Sequence, residues 1–334
     1  MRSPSPTSDP AADRRPLLHV HIDVDNLWIL EDEYGVGAAA GPDAIFDDAL
    51  PRFLAVFAAR GIRATFFMVG RDLALASCRR FCEAAARAGH ELANHSESHL
   101  PDLARRSFAD KEREITLPHE ALTALCGGAP IGFRAPGYYV DDELLLVLER
   151  LGYRYESSVL PGPACFLMNW YLKSKSAAAA GKTFGRSRYL VAPRRPCLLR
   201  ARTPEQRASI VELPISVDPL TRLPIHSTFA YKFGTGMVVR ALDGLRRAAG
   251  PHVYLFHAVD LLDYPAHGPL AQSVIPLQRS LAARLALVQT LLDAIVARFR
   301  VVTTRELFAE GDAMQRFGSS ASRFYDRLPP LRPR

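Results

Sequence analysis

The sequence contains no long apolar run. Although 48% of its 334 residues are hydrophobic, no segment approaches the roughly 18 consecutive apolar residues that a membrane-spanning helix needs. Residues 1–16 are rich in serine, proline, arginine and aspartate and lack the apolar segment of a secretion signal. We therefore expect a cytoplasmic protein with a substantial hydrophobic core.

Cysteine is scarce, and no C-x-x-C pair is present. The five cysteines are Cys78, Cys82, Cys126, Cys165 and Cys197. An odd number without paired spacing predicts neither a disulfide framework nor a thiolate zinc site. Internal repeats, low-complexity tracts and recognisable nucleic-acid-binding motifs are also missing from the sequence, so we expect no nucleic-acid partner.

Positive charge exceeds negative charge. The 42 lysines and arginines outnumber the 35 acidic residues, which gives a formal net charge of +7. Such a balance suits a phosphate-bearing substrate or an anionic membrane surface. The basic residues are scattered, however, except at 194–202 and in the C-terminal tail. A solvated, arginine-rich surface explains this distribution better than any single binding role.

Strand patterns alternate with helical patterns along most of the chain. The predicted strands are 17–25, 64–69, 91–94, 131–133, 153–159, 210–217, 253–257 and 300–303. The predicted helices are 43–60, 78–87, 107–125, which Pro118 interrupts or kinks, 143–151, 237–249 and 276–299. Alternation predicts parallel pairing, and seven or eight strands favour a barrel over an open sheet.

The domain prediction is one α/β domain over residues 17–310, between a disordered tail at 1–16 and a C-terminal tail at 311–334. One segment, 160–207, breaks the alternation and is interpreted as an insertion without an assigned core element. It combines basic residues with the aromatics Phe166, Trp170, Tyr171, Phe184 and Tyr189. A segment of this length is either a lid or binding loop or a packed surface excursion. We expect it to shape substrate access, because it follows a strand end on the presumed active-site side.

The most specific local pattern is His95-Ser96-Glu97-Ser98-His99. Two imidazoles four residues apart lie on one side of a helical turn and can converge on one divalent metal. Histidines at this spacing also occur by chance, so the pair alone leaves a metal site and a structural role equally open.

Two aspartates strengthen the metal hypothesis. On the first strand, Asp23 and Asp25 share a face and precede a strand-to-helix connection. Strand ends converge at one site in parallel α/β folds. One aspartate can then complete a His-His-Asp metal set while the other takes a proton from a water molecule. An isolated aspartate here would more simply cap a loop or helix.

Several motifs, in their order, resemble the polysaccharide deacetylase superfamily, the NodB-homology domain of carbohydrate esterase family four. They are H-I-D-V-D at 21–25, A-T-F-F-M-V-G at 64–70, G-H-E-L-A-N-H-S-E-S-H at 89–99, G-F-R-A-P-G-Y at 132–138 and L-F-H at 255–257. Five ordered matches are more specific than any one of them. The resemblance implies a distorted (β/α)7 barrel, in agreement with the strand count.

The resemblance also implies the roles of the residues that would bind a metal and activate water. Asp25, His95 and His99 would be the ligands of one divalent ion, with zinc as the first expectation. Asp23 would be the general base, and Arg134 would orient it.

Further roles concern the leaving group and the oxyanion. The resemblance makes His257 the general acid that protonates the departing amine. A backbone N–H of Gly137 or Tyr138 would help to hold the oxyanion. Glu212 and Asp218, near the two ends of the segment V-E-L-P-I-S-V-D at 211–218, are candidates for orienting His257.

Two departures from the commoner family pattern bear on the substrate. Val24 separates the two aspartates, which are usually adjacent, and Gly137 stands where many relatives have tyrosine. The first pattern also occurs in branches that act on lipid-linked sugars, peptidoglycan or small amides. The resemblance therefore implies an N-deacylase without fixing its substrate as a cell-wall polymer.

The leading functional prediction is metal-dependent N-deacylation, meaning deacetylation or deformylation, of an amino-sugar-containing substrate. We expect a lipid-linked or other intracellular glycoconjugate, with peripheral contact to an anionic membrane. The alternatives are hydrolysis of a small non-sugar amide, as in the allantoinase-like branch, and a catalytically inactive binding protein. Retention of both aspartates, both histidines of the pair, Arg134 and His257 disfavours the inactive protein.

Overall fold

A computed structural model describes residues 13–37, 39–167, 185, 187–202, 207–248 and 250–309. Most of the predicted N-terminal tail (1–12), the predicted C-terminal tail (311–334) and part of the predicted insertion (168–184, 186 and 203–206) lie outside the described residues. Within the described residues, no helix combines the length and apolar character that crossing a membrane requires.

The described strands form one nine-stranded sheet. They are β1 (Leu17–Val24), β2 (Thr65–Met68), β3 (Glu91–Asn94), β4 (Gly132–Phe133), β5 (Tyr155–Glu156), β6 (Cys197–Arg202), β7 (Arg207–Glu212), β8 (His252–His257) and β9 (Arg300–Val301). Their order is β6-β7-β5-β4-β3-β2-β1-β8, and β9 pairs with the start of β1. All of these pairs are parallel except β6 with β7.

The chain beyond β7 closes the sheet into a ring. The N–H of Ile215 donates to the carbonyl of Val159 (2.9 Å), and the N–H of Ser216 donates to the carbonyl of Val253 in β8 (3.1 Å). The extension of β7 therefore bridges the β5 side of the sheet to β8. Seven parallel strands (β1 to β5, β7 and β8) surround the interior, which confirms the predicted distorted (β/α)7 barrel.

The alternation along β1 places apolar and polar side chains on opposite faces. Val20, Ile22 and Val24 belong to the main hydrophobic core outside the barrel. His21 is fully buried on the other face, where its ring meets that of Phe67 with 5.0 Å between centroids. Asp23 shares this interior face, as the period of two along a strand requires.

Helices connect most of the strands and cover the barrel. They are α1 (Leu27–Tyr34), α2 (Leu50–Ala58), α3 (Ala76–Arg87), α4 (Phe108–Cys126), α5 (Asp142–Arg150), α6 (Ser227–Phe233), α7 (Thr235–Arg247), α8 (Leu281–Val296) and α9 (Thr304–Ala309). A π-helical segment, Ile45–Ala49, leads directly into α2. Ser107, Asp141 and Ser280 cap α4, α5 and α8 by accepting backbone N–H groups.

Two differences from the sequence prediction concern α4 and strand β6. Pro118 does not interrupt α4, which continues on both sides of the proline. Strand β6 lies inside the segment that was predicted to be an insertion without a core element. Its alternation buries Leu199 and Ala201 in one cluster and Leu198 in another, so both faces of the strand are covered. That part of the segment belongs to the sheet.

Candidate active site

Side chains of the predicted active site converge at the carboxyl ends of the barrel strands. Asp23 lies near the end of β1, Asp25 directly follows β1, and His95 directly follows β3. Arg134 follows β4, and His257 is the last residue of β8. Asp23 and His257 are direct partners in the β1–β8 register, so these two residues are neighbours across adjacent strands.

Asp25, His95 and His99 form the candidate metal site. Oδ1 of Asp25 lies 3.2 Å from Nε2 of His99 and 3.5 Å from Nε2 of His95. One ligand atom from each residue lies within 4.8 Å of the others. The structure therefore brings together the three residues that the sequence predicted as ligands.

The loop that carries the two histidines corrects one part of that prediction. Residues 95–99 do not form a helical turn, because Ser96 (φ 67°) and His99 (φ 49°) both adopt left-handed backbone conformations. Asn94 accepts the N–H of Ser96 (2.8 Å), and Glu114 of α4 accepts the N–H of Ser98 (2.8 Å). An anchored irregular loop thus produces the convergence that helical spacing was expected to give.

The hydrogen bonds around the trio fit a bound cation. Nδ1 of His95 lies 2.8 Å from the carbonyl oxygen of Arg134, which only a protonated Nδ1 can donate to. In the neutral ring this leaves the lone pair on Nε2, which points towards Asp25. Oδ1 of Asp25 is buried and has no hydrogen-bond partner among the described residues. Facing lone pairs repel each other unless a positive charge lies between them, so the donor set fits a divalent metal.

The electrostatics of Asp25 and His99 lead to the same conclusion. Burial alone would raise the pKa of Asp25, but the nearby His99 and His95 outweigh it and hold that pKa well below its ordinary value. Burial would likewise lower the pKa of His99, but the nearby negative charge of Asp25 outweighs it and raises that pKa. The carboxylate of Asp25 therefore favours a positive charge beside it. A proton on His99 or a bound metal ion can supply that charge.

Asp23 is held by Arg134, a fully buried side chain. Nη1 of Arg134 donates to Oδ1 of Asp23 (2.5 Å), while Nε donates to the carbonyl of Ser157 (2.7 Å). Nη2 donates to Oγ of Ser157 (2.9 Å) and to Nδ1 of His21 (2.8 Å). Burial and the charge of Arg134 lower the pKa of His21, so this ring is neutral and can accept. The carboxylate of Asp23 is consequently fixed in place and not free to rotate.

Neither acid that the sequence offered as a partner of His257 contacts it. Asp218 accepts backbone N–H groups of its own turn, and Glu212 accepts the N–H of Val159 (3.0 Å) beside Glu156. The acid that contacts His257 is Asp260. Its buried carboxylate accepts the N–H of His257 (3.1 Å), and its own N–H donates to the ring of His257. The three-residue spacing is a capping box, a signal that the sequence already contains.

A hydrogen bond within the turn after Arg134 distinguishes the two backbone N–H groups that were predicted to contact the oxyanion. The N–H of Tyr138 donates to the carbonyl of Ala135 (3.2 Å), so it is already used within the turn. Gly137 is therefore the better candidate. Burial and the charge of Asp23 raise the pKa of Tyr138 well above its ordinary value, which keeps its hydroxyl protonated beside the base.

Sequence reasoning missed the residues that hold the loop after β1. Asn26 caps α1 by accepting the N–H of Leu27 (2.7 Å), and its amide donates to Asp72 (2.9 Å) and to the carbonyl of Pro42 (3.0 Å). These contacts fix the backbone next to Asp25. An asparagine immediately before the apolar run 27–30 is a helix-start signal that could have revealed both α1 and this role.

The described parts of the predicted insertion lie next to this site. The N–H of Gly185 donates to the carbonyl of Gly137 (2.7 Å). Leu160 and Cys165 share a hydrophobic cluster with Tyr138 and Leu255. Residues on both sides of the segment 168–184 therefore border the turn that follows Arg134.

Comparison with known proteins agrees with this geometry. The family model for polysaccharide deacetylases matches residues 40–156, a range that contains His95, His99 and Arg134. This part of the chain is therefore similar to the polysaccharide deacetylase family. Asp23, Asp25 and His257 lie outside the matched range, so the structure alone relates them to the matched segment.

Comparison with solved structures includes one that shares the fold of this chain. The crystal structure of a candidate polysaccharide deacetylase from Mycobacterium smegmatis has a TM-score of 0.61 at 19% identity, covering 100% of this chain and 99% of its own. A family 4 carbohydrate esterase from Streptomyces lividans has a TM-score of 0.43 at 16% identity, with 86% and 97% covered. A CE4-family pseudoenzyme from Bacillus anthracis has a TM-score of 0.45 at 13% identity, with 88% and 66% covered.

Proposed function

We propose that this protein is a metal-dependent hydrolase that removes an acetyl or formyl group from the nitrogen of an amino sugar. The observation that carries the proposal is the position of the Asp25-His95-His99 trio at the strand ends that also hold the Asp23–Arg134 pair. Metal ligands, a fixed base and an acid on the neighbouring strand together suit hydrolysis of an amide bond.

Asp25, His95 and His99 would hold one divalent cation, and zinc is the ion that two imidazoles and one carboxylate suit well. When bound, such a cation polarises the amide carbonyl and lowers the pKa of water in the site. The protein's contribution is to present three donor atoms whose orientation is already fixed, His95 through the carbonyl of Arg134.

Asp23 would accept the proton of the attacking water. Its carboxylate keeps one oxygen on Arg134, which leaves the other available to the water. Because Arg134 is locked by Ser157 and His21, the base does not have to be oriented during each turnover.

His257 would return a proton to the nitrogen of the departing amine, which leaves poorly without one. The register with Asp23 puts the acid on the strand next to the base. The N–H of Gly137 would donate to the oxygen that becomes negatively charged as the carbonyl is attacked.

For the substrate, we propose a lipid-linked or other intracellular glycoconjugate that carries an N-acylated amino sugar. The net charge of +7 supports a substrate with phosphate groups. The protonated hydroxyl of Tyr138 is available at the base for a hydrogen bond with a sugar. The expected cytoplasmic location stays a prediction.

Acyl release from a panel of substrates tests the proposal. Zinc-loaded protein is incubated with N-acetyl and N-formyl amino sugars as free sugars, nucleotide sugars and lipid-linked sugars, together with small non-sugar amides, and acetate and formate are quantified. We expect release from an amino-sugar substrate, and loss of that release in Asp23→Asn protein. Release from the small amides alone would favour the allantoinase-like alternative. Absence of release from every substrate would contradict the proposed activity.

A further inference from the structure

Exposed apolar side chains are grouped at the carboxyl end of the barrel. Leu220 is 94% exposed, Val191 is 65% exposed and Leu190 is 39% exposed. We refer to these three residues as the apolar tip. Isolated exposed leucines are ordinary on protein surfaces, so the significance of the tip depends on how it is built and on what surrounds it.

The turn that presents Leu220 is held by its own hydrogen bonds. The carboxylate of Asp218 accepts the N–H of Leu220 (3.0 Å) and both the N–H (2.7 Å) and the hydroxyl (2.9 Å) of Thr221. A bridge between Val217 and Pro224 closes the base of the turn. Leu220 is therefore presented to solvent by an ordered turn.

Arginine side chains join this turn to the segment that carries Val191. Nη1 of Arg222 donates to the carbonyls of Leu190 (3.2 Å) and Ala192 (3.0 Å), one on each side of Val191. Arg194 donates to the carbonyl of Pro219, next to Leu220. The two most exposed apolar side chains are thus fixed to one surface by two cations.

The charge around the apolar tip is positive. Arg194 and Arg195 are exposed, and Arg222 is partly exposed beside them. Burial and the nearby charge of Arg194 lower the pKa of Arg222, which reflects the crowding of like charges. A surface that combines protruding aliphatic side chains with clustered arginines is complementary to an anionic lipid interface.

The apolar tip lies at the same end of the barrel as the active site. The turn follows the extension of β7, which pairs with Val159 beyond the end of β5. The Cα of Gly162 lies against the carbonyl oxygen of Arg222. Cys165, three residues after Gly162, packs with Tyr138 near Asp23.

We propose that the apolar tip docks the protein on an anionic lipid membrane, with Leu220 and Val191 among the acyl chains and Arg194, Arg195 and Arg222 at the headgroup phosphates. In this orientation the active-site end of the barrel faces the membrane. The docking itself does not depend on the proposed function. Only its consequence rests on that function, namely that the amino-sugar substrate is anchored in the same membrane.

Vesicle binding tests the docking without any turnover, so its result is independent of the deacylation assay. Full-length protein is sedimented with phosphatidylcholine vesicles and with vesicles in which about a third of the lipid is phosphatidylglycerol. We expect binding to the anionic vesicles only, weakened by salt. We also expect about tenfold weaker binding for the Val191→Ser/Leu220→Ser variant, because two aliphatic side chains no longer enter the apolar layer.

The matched control is Leu117→Ser, which removes a 44% exposed leucine from α4 and should bind like the wild type. A Leu220→Trp variant supplies a second measurement, because its fluorescence should shift to shorter wavelength when anionic vesicles are added. The proposal would be overturned if the wild-type protein did not bind anionic vesicles. It would also be overturned if the Val191→Ser/Leu220→Ser variant bound as tightly as the Leu117→Ser control. An unchanged emission spectrum of the tryptophan variant would do the same.

Discussion

Two of the three candidate metal ligands have a neighbour that fixes the ring or the adjacent backbone. The carbonyl of Arg134 fixes the ring of His95, and the cap formed by Asn26 fixes the backbone beside Asp25. Arg134 also holds Asp23, so one residue links the proposed base, through its side chain, to the candidate metal site, through its carbonyl. Such supporting contacts orient metal ligands and raise their basicity.

A pH dependence of metal binding follows from the trio. Because the nearby carboxylate of Asp25 raises the pKa of His99 above its ordinary value despite burial, a proton occupies the metal-free site at pH 6 and must leave when metal binds. Affinity should therefore fall as pH drops below this raised pKa, by up to about tenfold per pH unit. Calorimetric titration with zinc at pH 6, in buffers of different ionisation enthalpy, should report close to one proton released.

Replacing Asp23 with asparagine should separate catalysis from metal binding. Asp23→Asn removes the proton acceptor but no proposed ligand, so turnover should fall by on the order of 10²-fold or more, with zinc content unchanged. Turnover and bound zinc are measured on the same preparation. Loss of zinc together with activity would make Asp23 a ligand, and unchanged turnover would exclude it as the base.

At the scale of elements, the packing of the short strand β4 requires glycine at position 132. The ring of Tyr155 lies directly over the Cα of Gly132, and its hydroxyl donates to Glu91 (3.1 Å). A methyl group at Gly132 would occupy the space of that ring. Gly132→Ala should therefore lower the free energy of unfolding by about 1–3 kcal/mol, as overpacking does.

The matched control for this strand is Gly128→Ala, where an added Cβ meets nothing within 4 Å. Urea unfolding of both variants checks the prediction. Equal stability of the two proteins would show that the interior can accommodate the methyl group, contrary to the packing described here.

Strands β5 and β7 bury a pair of carboxyl groups, Glu156 and Glu212. Burial raises both pKa values, that of Glu212 well above its ordinary value, and the charge of Glu156 adds to the second shift. The folded protein then binds more protons than the unfolded chain above about pH 4.5, so this pair costs stability as pH rises.

The Glu212→Gln variant removes that dependence because the amide cannot ionise. Relative to the wild type it should gain thermal stability between pH 5 and pH 8, by about 1.4 kcal/mol for each unit of the pKa shift. Melting temperatures are compared in chelator, with the exposed Glu120→Gln as the control. A difference that does not grow with pH would contradict the shared burial of the two acids.

Elements with regular periodicity could be predicted from the sequence, and elements defined by distant partners could not. The alternation of β1 and the apolar pattern of α3 depend on local spacing alone. Strand β6 becomes recognisable only through its antiparallel pairing with β7. The loop at 95–99 was assigned a helical turn, because nothing in its spacing reveals the positive φ angles of Ser96 and His99.

At the scale of the whole molecule, the barrel assembles one site from residues far apart in sequence. Asp23, His95, Arg134 and His257 lie at the ends of four different strands, and parallel pairing brings all four strand ends to one face. The ordered motifs were sufficient to predict this convergence. They did not reveal Asp260 as the acid beside His257, since the motif ends at the histidine and the capping-box spacing that follows it was not used.

The central claim is that Asp25, His95 and His99 bind one divalent metal. Its most direct test is the zinc content of purified, zinc-equilibrated protein, measured by mass spectrometry after removal of free metal. The account predicts one equivalent in the wild type and in the His267→Ala control, and strongly reduced content in His95→Ala and His99→Ala proteins. Full zinc content in both of those variants would contradict it.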